Sequence, residues 1–275
     1  MWPTLVKVGN FEITTFGLMM FLAFVIGEWI LAREFRRAGI NEELASSIVV
    51  AGAIGGIVGA KIYYAILFKD WRLLFDRAGL VWYGGLIGGF LAASWVVWRA
   101  RVDYLKAADA AAPALSLGYA LGRIGCFLVG DDYGRPTDAW FGVAFPRGAP
   151  PTTADSLREF GVAVDPAIPG YQVLRVHPTQ LYETFAALLM FGLLMWVNRR
   201  AHPRGLGWAL FLVLLGIERF LVEIVRAKDD RFFGSFTVAQ VISVLLVLVG
   251  IGWAAYSILR RSSSAGGSTV TPQRT

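Results

Sequence analysis

The sequence is short of the residues that build metal cages and disulfide frameworks: its 275 residues include one Cys and two His. One Cys excludes an intrachain disulfide, and two His with one Cys cannot by themselves complete a closed four-ligand zinc site. Charge is scarce as well, since only 17% of residues are Asp, Glu, Lys or Arg, against about a quarter in ordinary soluble domains. Hydrophobic residues make up 56%, which excludes a disordered chain and argues against a soluble enzyme. Glycine is plentiful at 31 residues, and so are aromatics, with 10 Trp, 19 Phe and 9 Tyr. Small residues let helices approach closely in a bilayer, and Trp and Tyr anchor its interfaces. The net charge of +6 fits cytoplasmic loops facing anionic lipid and needs no nucleic acid.

A helix needs about 20 largely apolar residues to cross a hydrocarbon core about 30 Å thick. Seven stretches meet or approach this, over residues 16–32, 45–68, 80–98, 107–129, 181–197, 205–225 and 236–259. The expected fold is an all-α polytopic membrane protein with about seven transmembrane helices. Residues 1–130 hold spans one to four, 131–176 form a small irregular extracytoplasmic head, 177–261 hold spans five to seven, and 262–275 form a flexible cytoplasmic tail. The fourth span is the weakest because Asp109, Pro113 and Arg123 interrupt it, so other helices should shield it. The opening MWPTLVKVGNFEITT has no basic stretch leading directly into an apolar run, and does not read as a cleaved signal peptide. Arg33, Arg36, Arg37, Arg99, Arg101, Lys106, Arg199, Arg200, Arg204, Arg260, Arg261 and Arg274 fall on one side. They outnumber Lys7, Lys69, Arg72, Arg77, Arg226, Lys228 and Arg231 on the other. The positive-inside rule makes the first set cytoplasmic, which puts the N-terminus and the head outside and the C-terminus inside.

Charges inside apolar spans are the informative exceptions, since each costs at least about 2.5 to 3.5 kcal/mol at a helix centre on insertion scales. Arg123 sits in GRIGCFLVGDDYGRPTD among Gly118, Gly122, Gly125, Gly130 and Gly134. A guanidinium fork among glycines suits a lipid phosphate, although an arginine near a helix end can also snorkel to the interface. In VWYGGLIGGF, Gly84 with Gly88 and Gly85 with Gly89 form small-xxx-small pairs, as do Gly52 with Gly56 and Gly55 with Gly59 one span earlier. Helix packing is the default reading for these, and Tyr83 reads equally as an interfacial aromatic. Lys61 within the second span is harder to dismiss. In VHPTQLYE, capping accounts for His177, Pro178 and Thr179, and Gln180, Tyr182 and Glu183 follow within about one turn. Capping does not account for Glu183 inside the apolar run. In GIERFLVEIVRAKDD, Arg219, Glu223 and Arg226 recur along one helical face, either as a structural ion pair or as a functional group. Cys126, flanked by Gly125 and Phe127, reads as a small buried hydrophobe rather than a nucleophile.

Taken together, YGGLIGG, GRIGCFLVGDDYG, HPTQLYE and RFLVEIVR, in this order and at these spans, resemble the blocks of the bacterial prolipoprotein diacylglyceryl transferase family. The resemblance covers nearly the whole chain, from Phe16 through the seventh span. It implies an enzyme of the bacterial cytoplasmic (inner) membrane that moves the diacylglyceryl group of phosphatidylglycerol to the lipobox cysteine thiol of a preprolipoprotein. The products are a thioether and glycerol 1-phosphate. The implied partners are phosphatidylglycerol, preprolipoproteins and membrane lipid, with neither metal nor cofactor. Carried over by position, Arg123 matches the signature arginine that binds phosphatidylglycerol, and Arg219 matches a second essential arginine. Tyr83 stands where the family usually has a histidine assigned as base, Cys126 where it has Asn, Asp131 where it has Glu and Phe16 where it has Tyr. Tyrosine, with a free pKa of about 10, is a weaker base than histidine at neutral pH.

The candidate catalytic residues are thus Arg123, Arg219, Tyr83 and His177, with Gly84, Gly85, Gly122, Asp131 and Gly134 joining the two arginines in lipid binding. Lys61, Gln180, Tyr182, Glu183, Glu223 and Arg226 are the supporting set. The chemistry suits this choice: a thiol of free pKa about 8.5 must be deprotonated and a phosphate must leave, which guanidiniums can assist without a metal. The departures from the family blocks leave open a paralogue that binds or moves anionic phospholipid without the reaction.

Overall fold

The computed structural model describes residues 4–8, 11–76, 79, 81–227, 231–233 and 236–266. Of the features above, Arg77, Leu80, Lys228, Arg274 and the tail from 267 onward lie outside the described residues. The chain is mostly helical. A hairpin of β1 (Thr4–Val8) and β2 (Phe11–Thr14) leads into α1 (Thr15–Ala38), α2 (Leu44–Phe68), a short 3-10 turn (Trp71–Phe75), α3 (Trp82–Arg99) and α4 (Tyr104–Val129). Then come β3 (Val143–Ala144), α5 (Ala154–Glu159), β4 (Arg175–Val176), α6 (Thr179–Asn198), α7 (Leu206–Val225), β5 (Arg231–Phe233), β6 (Phe236–Thr237) and α8 (Val238–Gly266). The seven long helices coincide with the seven apolar stretches. By length and composition, α1, α2, α4, α6 and α8 each qualify as membrane spans. The expected weak point, α4, is among them, whereas α7 is interrupted by Glu218, Arg219 and Glu223 and the 18 residues of α3 are diluted by four Gly, three Trp and Arg99. The helix α8 also continues past Leu259 to Gly266, into the start of the expected tail.

Helix ends follow local chemistry. α1 closes with Gly39 at φ +70, its N–H donating to Arg36 O and that of Ile40 to Phe35 O, the paired bonds of a Schellman stop. Asp103 opens α4 by accepting from the N–H groups of Leu105 and Lys106.

Two compact units result, Glu28–Ala111 and Met1–Gly27 with Ala112–Thr275. In the first, α2 and α3 pack backbone to backbone through the two glycine series: a Cβ on Gly59 would stand 2.3 Å from Gly84 O, and one on Gly88 2.3 Å from Gly55 O. Lys61 Nζ donates to the Asp76 carbonyl and so tethers the segment leading to α3.

In the second unit, α4, α6 and α7 share small apolar clusters, Ala120 with Ala187 and Met190, and Ala112 with Leu194 and Phe211. α8 closes on α7 at Gly216, where a Cβ would stand 2.6 Å from Ser243 O. The stretch between α4 and α6 is mostly turns and loops, with two strands of two residues and one helix of six. It has its own core of Tyr133, Phe145, Leu157 and Val176 with Ala227, and Tyr133 stacks on Phe145 at 5.7 Å. The strands β3 and β4 pair antiparallel, Val143 opposite Val176. The Gly/Pro-rich runs GDDYGRPTD, FPRGAPPTT and DPAIPGY hide this order from any periodicity.

Candidate functional site

Within the second unit three arginines and three acids form a closed ring of alternating charge. Arg123 on α4 reaches Glu183 of α6 through Nη2, and Asp132 Oδ2 at 3.1 Å through Nη1. Glu183 Oε1 meets Arg219 Nη1 at 3.4 Å, and Arg219 Nη2 lies 2.7 Å from Glu223 Oε2, one helical turn on along α7. Arg226 closes the circuit, 3.5 Å from Glu223 Oε2 and 2.7 Å from Asp132 Oδ1. The i, i+4, i+7 spacing read from the sequence thus presents Arg219, Glu223 and Arg226 to one site. Buried charges survive in a protein only when paired in this way.

The loop after α4 is pinned to the start of α6. Thr179 Oγ1 donates to Asp132 O at 2.7 Å, and Gln180 Nε2 donates to Asp131 O. Gly134 N–H donates to His177 O, and Arg135 N–H to Val225 O, both at 2.8 Å. These bonds hold Arg226 and Asp132 where the ring needs them. Asp132 itself adopts φ +54, a left-handed conformation that Asp tolerates better than most residues. Burial alone would raise its carboxyl, but the charges of Arg226 and Arg123 outweigh that and hold it below the ordinary carboxylate range. Its neighbour Asp131 is pushed up, chiefly by burial.

Asp132, not Asp131, meets the arginines, while the Asp131 carboxylate lies against Cys126. Gly134 has no room for a side chain, since a Cβ would stand 2.6 Å from Val225 O and 2.7 Å from His177 Cβ. Gly84 is likewise buried against α2, with Gly59 O at 2.4 Å from its would-be Cβ, and Gly85 faces Gly56 O at 3.4 Å. Gly122 faces Met20 Sδ at 3.9 Å, on α1. Gly84 and Gly134 thus leave no room for a Cβ, whereas Gly85 and Gly122 stand at ordinary van der Waals distance from their neighbours. His177 stands outside the ring, its Nδ1 3.1 Å from Tyr182 Oη. Tyr83, in the first turn of α3, belongs to the first unit and is edge-on to Trp82 at 5.2 Å.

Three participants escape the sequence reading: Asp132, Tyr119 and Glu218. Tyr119 Oη donates to Glu183 Oε1 at 3.0 Å and lies 3.4 Å from both oxygens of the buried Glu218. The signals were present, for Tyr119 precedes Arg123 by one helical turn and Glu218 is itself an acid in an apolar run. Cys126 Sγ and one oxygen each of Asp131 and Asp132 lie within 4.8 Å of one another. Arg123 Nη1 stands 3.6 Å from that sulfur and 3.1 Å from Asp132 Oδ2, so a guanidinium already meets the charge a cation would seek.

Three guanidiniums and three carboxylates thus meet at one place among apolar helices, where ionisable groups are functional candidates by default. The sequence pattern of the prolipoprotein diacylglyceryl transferase family matches residues 3–256. A phosphatidylglycerol–prolipoprotein diacylglyceryl transferase of Vibrio cholerae is 30% identical over 272 residues, covering 94% of this chain and 92% of that protein. The protein of that name from Geobacter sulfurreducens is 30% identical over 271 residues, covering 92% and 94%. That from Clostridium tetani is 29% identical over 257 residues, covering 91% and 96%. The chain belongs to the prolipoprotein diacylglyceryl transferase family, and is a multi-pass membrane protein.

Proposed function

We propose that this chain transfers the diacylglyceryl group of phosphatidylglycerol to the thiol of a lipobox cysteine in a preprolipoprotein, forming a thioether and releasing glycerol 1-phosphate. The observation that carries the reading furthest is the ring, in which Arg123 and Arg219 share Glu183. In the reaction the thiol loses its proton, sulfur bonds to the glyceryl carbon, and the bond from that carbon to the phosphate oxygen breaks with its electron pair on oxygen. A phosphodiester monoanion becomes a monoester dianion, so negative charge on phosphate grows toward the transition state. Cations fixed beside it therefore bind the transition state more tightly than the ground state. Arg123 Nε is buried without a hydrogen-bond partner and supplies one such donor. Arg219, the most exposed of the three guanidiniums, supplies another.

In this reading all seven long helices cross a bacterial inner membrane, α3 hiding its glycine face on α2 and α7 its charges in the ring. The N-terminus and the stretch between α4 and α6 lie outside, and the C-terminus lies in the cytoplasm. Tyr83 contacts the reacting groups and His177 is the alternative base, both on the strength of the sequence blocks. Removing the hydroxyl in Tyr83→Phe should slow transfer about tenfold, the worth of one hydrogen bond near 1.4 kcal/mol; an unchanged rate in vesicles takes the hydroxyl out of the mechanism.

The reaction is tested by incubating the purified protein with phosphatidylglycerol vesicles and a lipobox peptide. The expected result is a peptide heavier by one diacylglyceryl unit, with glycerol 1-phosphate released. Lipid binding with neither product would replace the transferase by a protein that only binds or moves anionic phospholipid.

A further inference from the structure

One link of the ring is unlike the rest. The acids on helices, Glu183 and Glu223, are each 1% exposed, whereas Asp132, on a loop, is 44% exposed. It offers one oxygen to each of two guanidiniums, Oδ2 to Arg123 and Oδ1 to Arg226. Two non-bridging oxygens of a phosphate would span the same pair of cations. Its main chain is held by Thr179 Oγ1 at the carbonyl, so the carboxylate can turn away without moving the loop. The low proton affinity that Arg226 and Arg123 impose keeps Asp132 charged at neutral pH. An arriving anion must therefore compete with it.

We propose that the Asp132 carboxylate holds the place of the lipid phosphate in the ligand-free protein, and that its displacement makes it a specificity-determining residue favouring net-anionic headgroups. The proposal rests on the functional reading above. When Asp132 turns out, Arg123 and Arg226 lose one negative charge, and a headgroup whose only charge is its phosphate restores it. A zwitterionic headgroup brings its own cation to the same two guanidiniums and restores less.

The test uses the full chain in lipid nanodiscs with Asp132→Asn and Asp132→Gly, since Asn and Gly both accept a left-handed backbone. Both substitutions should lower KM for phosphatidylglycerol about fivefold, as loss of a competing contact worth up to about 1 kcal/mol implies. The change in kcat should be smaller, and phosphatidylcholine should inhibit the variants more than the parent. If KM in both is equal to or above the parent value, Asp132 is a fixed strut and the proposal fails. A parent protein that transfers nothing overturns the functional reading instead. The rise in Tm on adding short-chain phosphatidylglycerol then decides the point: a larger rise in Asp132→Asn supports displacement, and an equal or smaller one overturns it.

Discussion

Replacing Arg123 with alanine should lower diacylglyceryl transfer by about 10²- to 10³-fold, the scale seen when one charge-stabilising donor is removed from an active site. The loss has two parts that can be separated. Arg123 is the only ring member that contacts both Glu183 and Asp132, so without it the circuit opens into a chain running from Glu183 to Asp132 through Arg219, Glu223 and Arg226. Glu183, 1% exposed, then keeps Arg219 and the Tyr119 hydroxyl but loses its closest cation. Stripping a partner from a buried pair costs up to about 3 to 5 kcal/mol, because the remaining charge is left uncompensated. Combining Arg123→Ala with Glu183→Gln removes that charge and should recover much of the Tm while leaving transfer as slow as in the single variant. Recovery of both would mean that Arg123 serves folding alone, and transfer by Arg123→Ala at the parent rate would remove it from the mechanism. Arg123→Lys should behave like the alanine variant in rate, since one ammonium cannot present two parallel donors to two carboxylates.

Gly134→Ala should damage both stability and transfer, although it changes no charge. The added carbon would stand 2.6 Å from Val225 O, 2.7 Å from His177 Cβ and 2.9 Å from His177 O. None of these is the tip of a flexible side chain, so the three strands of backbone that meet here must separate. Overpacking of this kind typically costs about 1 to 3 kcal/mol. The separation acts on the bonds from Gly134 to His177 and from Arg135 to Val225, and thus on the register that brings Arg226 to Asp132. A fall in Tm together with a rise in KM for phosphatidylglycerol is the expected outcome in detergent-purified protein. A variant with the parent Tm would show that the loop has slack at this point.

How far the sequence speaks depends on which physical signal each feature uses. Long helices announce themselves because an apolar run of about 20 residues has few alternatives, and all seven lie where hydropathy puts them. The contact between α2 and α3 is equally legible, since Gly52, Gly55, Gly56 and Gly59 can only be understood against a second small-residue face. Arg219, Glu223 and Arg226 were readable as one face, and Glu183 as an acid without a capping role. Their closure into a ring was not, because Asp132 lies in a loop where an acid costs nothing and draws no notice. The same reasoning hides the packed stretch between α4 and α6, whose strands are two residues long. Glycine is ambiguous for a related reason: absence of a side chain has the same sequence signature whether the neighbour is a ligand or, as at Gly84 and Gly134, a carbonyl. The β1–β2 hairpin was within reach, for alternating residues on either side of Gly9-Asn10 are a hairpin signal.

In the proposed seven-span topology the ring also makes the insertion of α7 depend on helices made before it. Three of its six members, with Glu218 beside them, lie on or at the end of α7, and their partners on α4 and α6 are translated earlier. Presented alone to the translocon, α7 would bring Glu218, Arg219 and Glu223 into hydrocarbon, each at a cost of about 2.5 to 3.5 kcal/mol near its centre. Delivered beside α4 and α6, it finds Arg123 and Glu183 already waiting. On the proposed function, the nascent chain therefore holds its lipid site only in fragments until the ribosome has completed α7, and cannot act on the phospholipid through which it is being threaded.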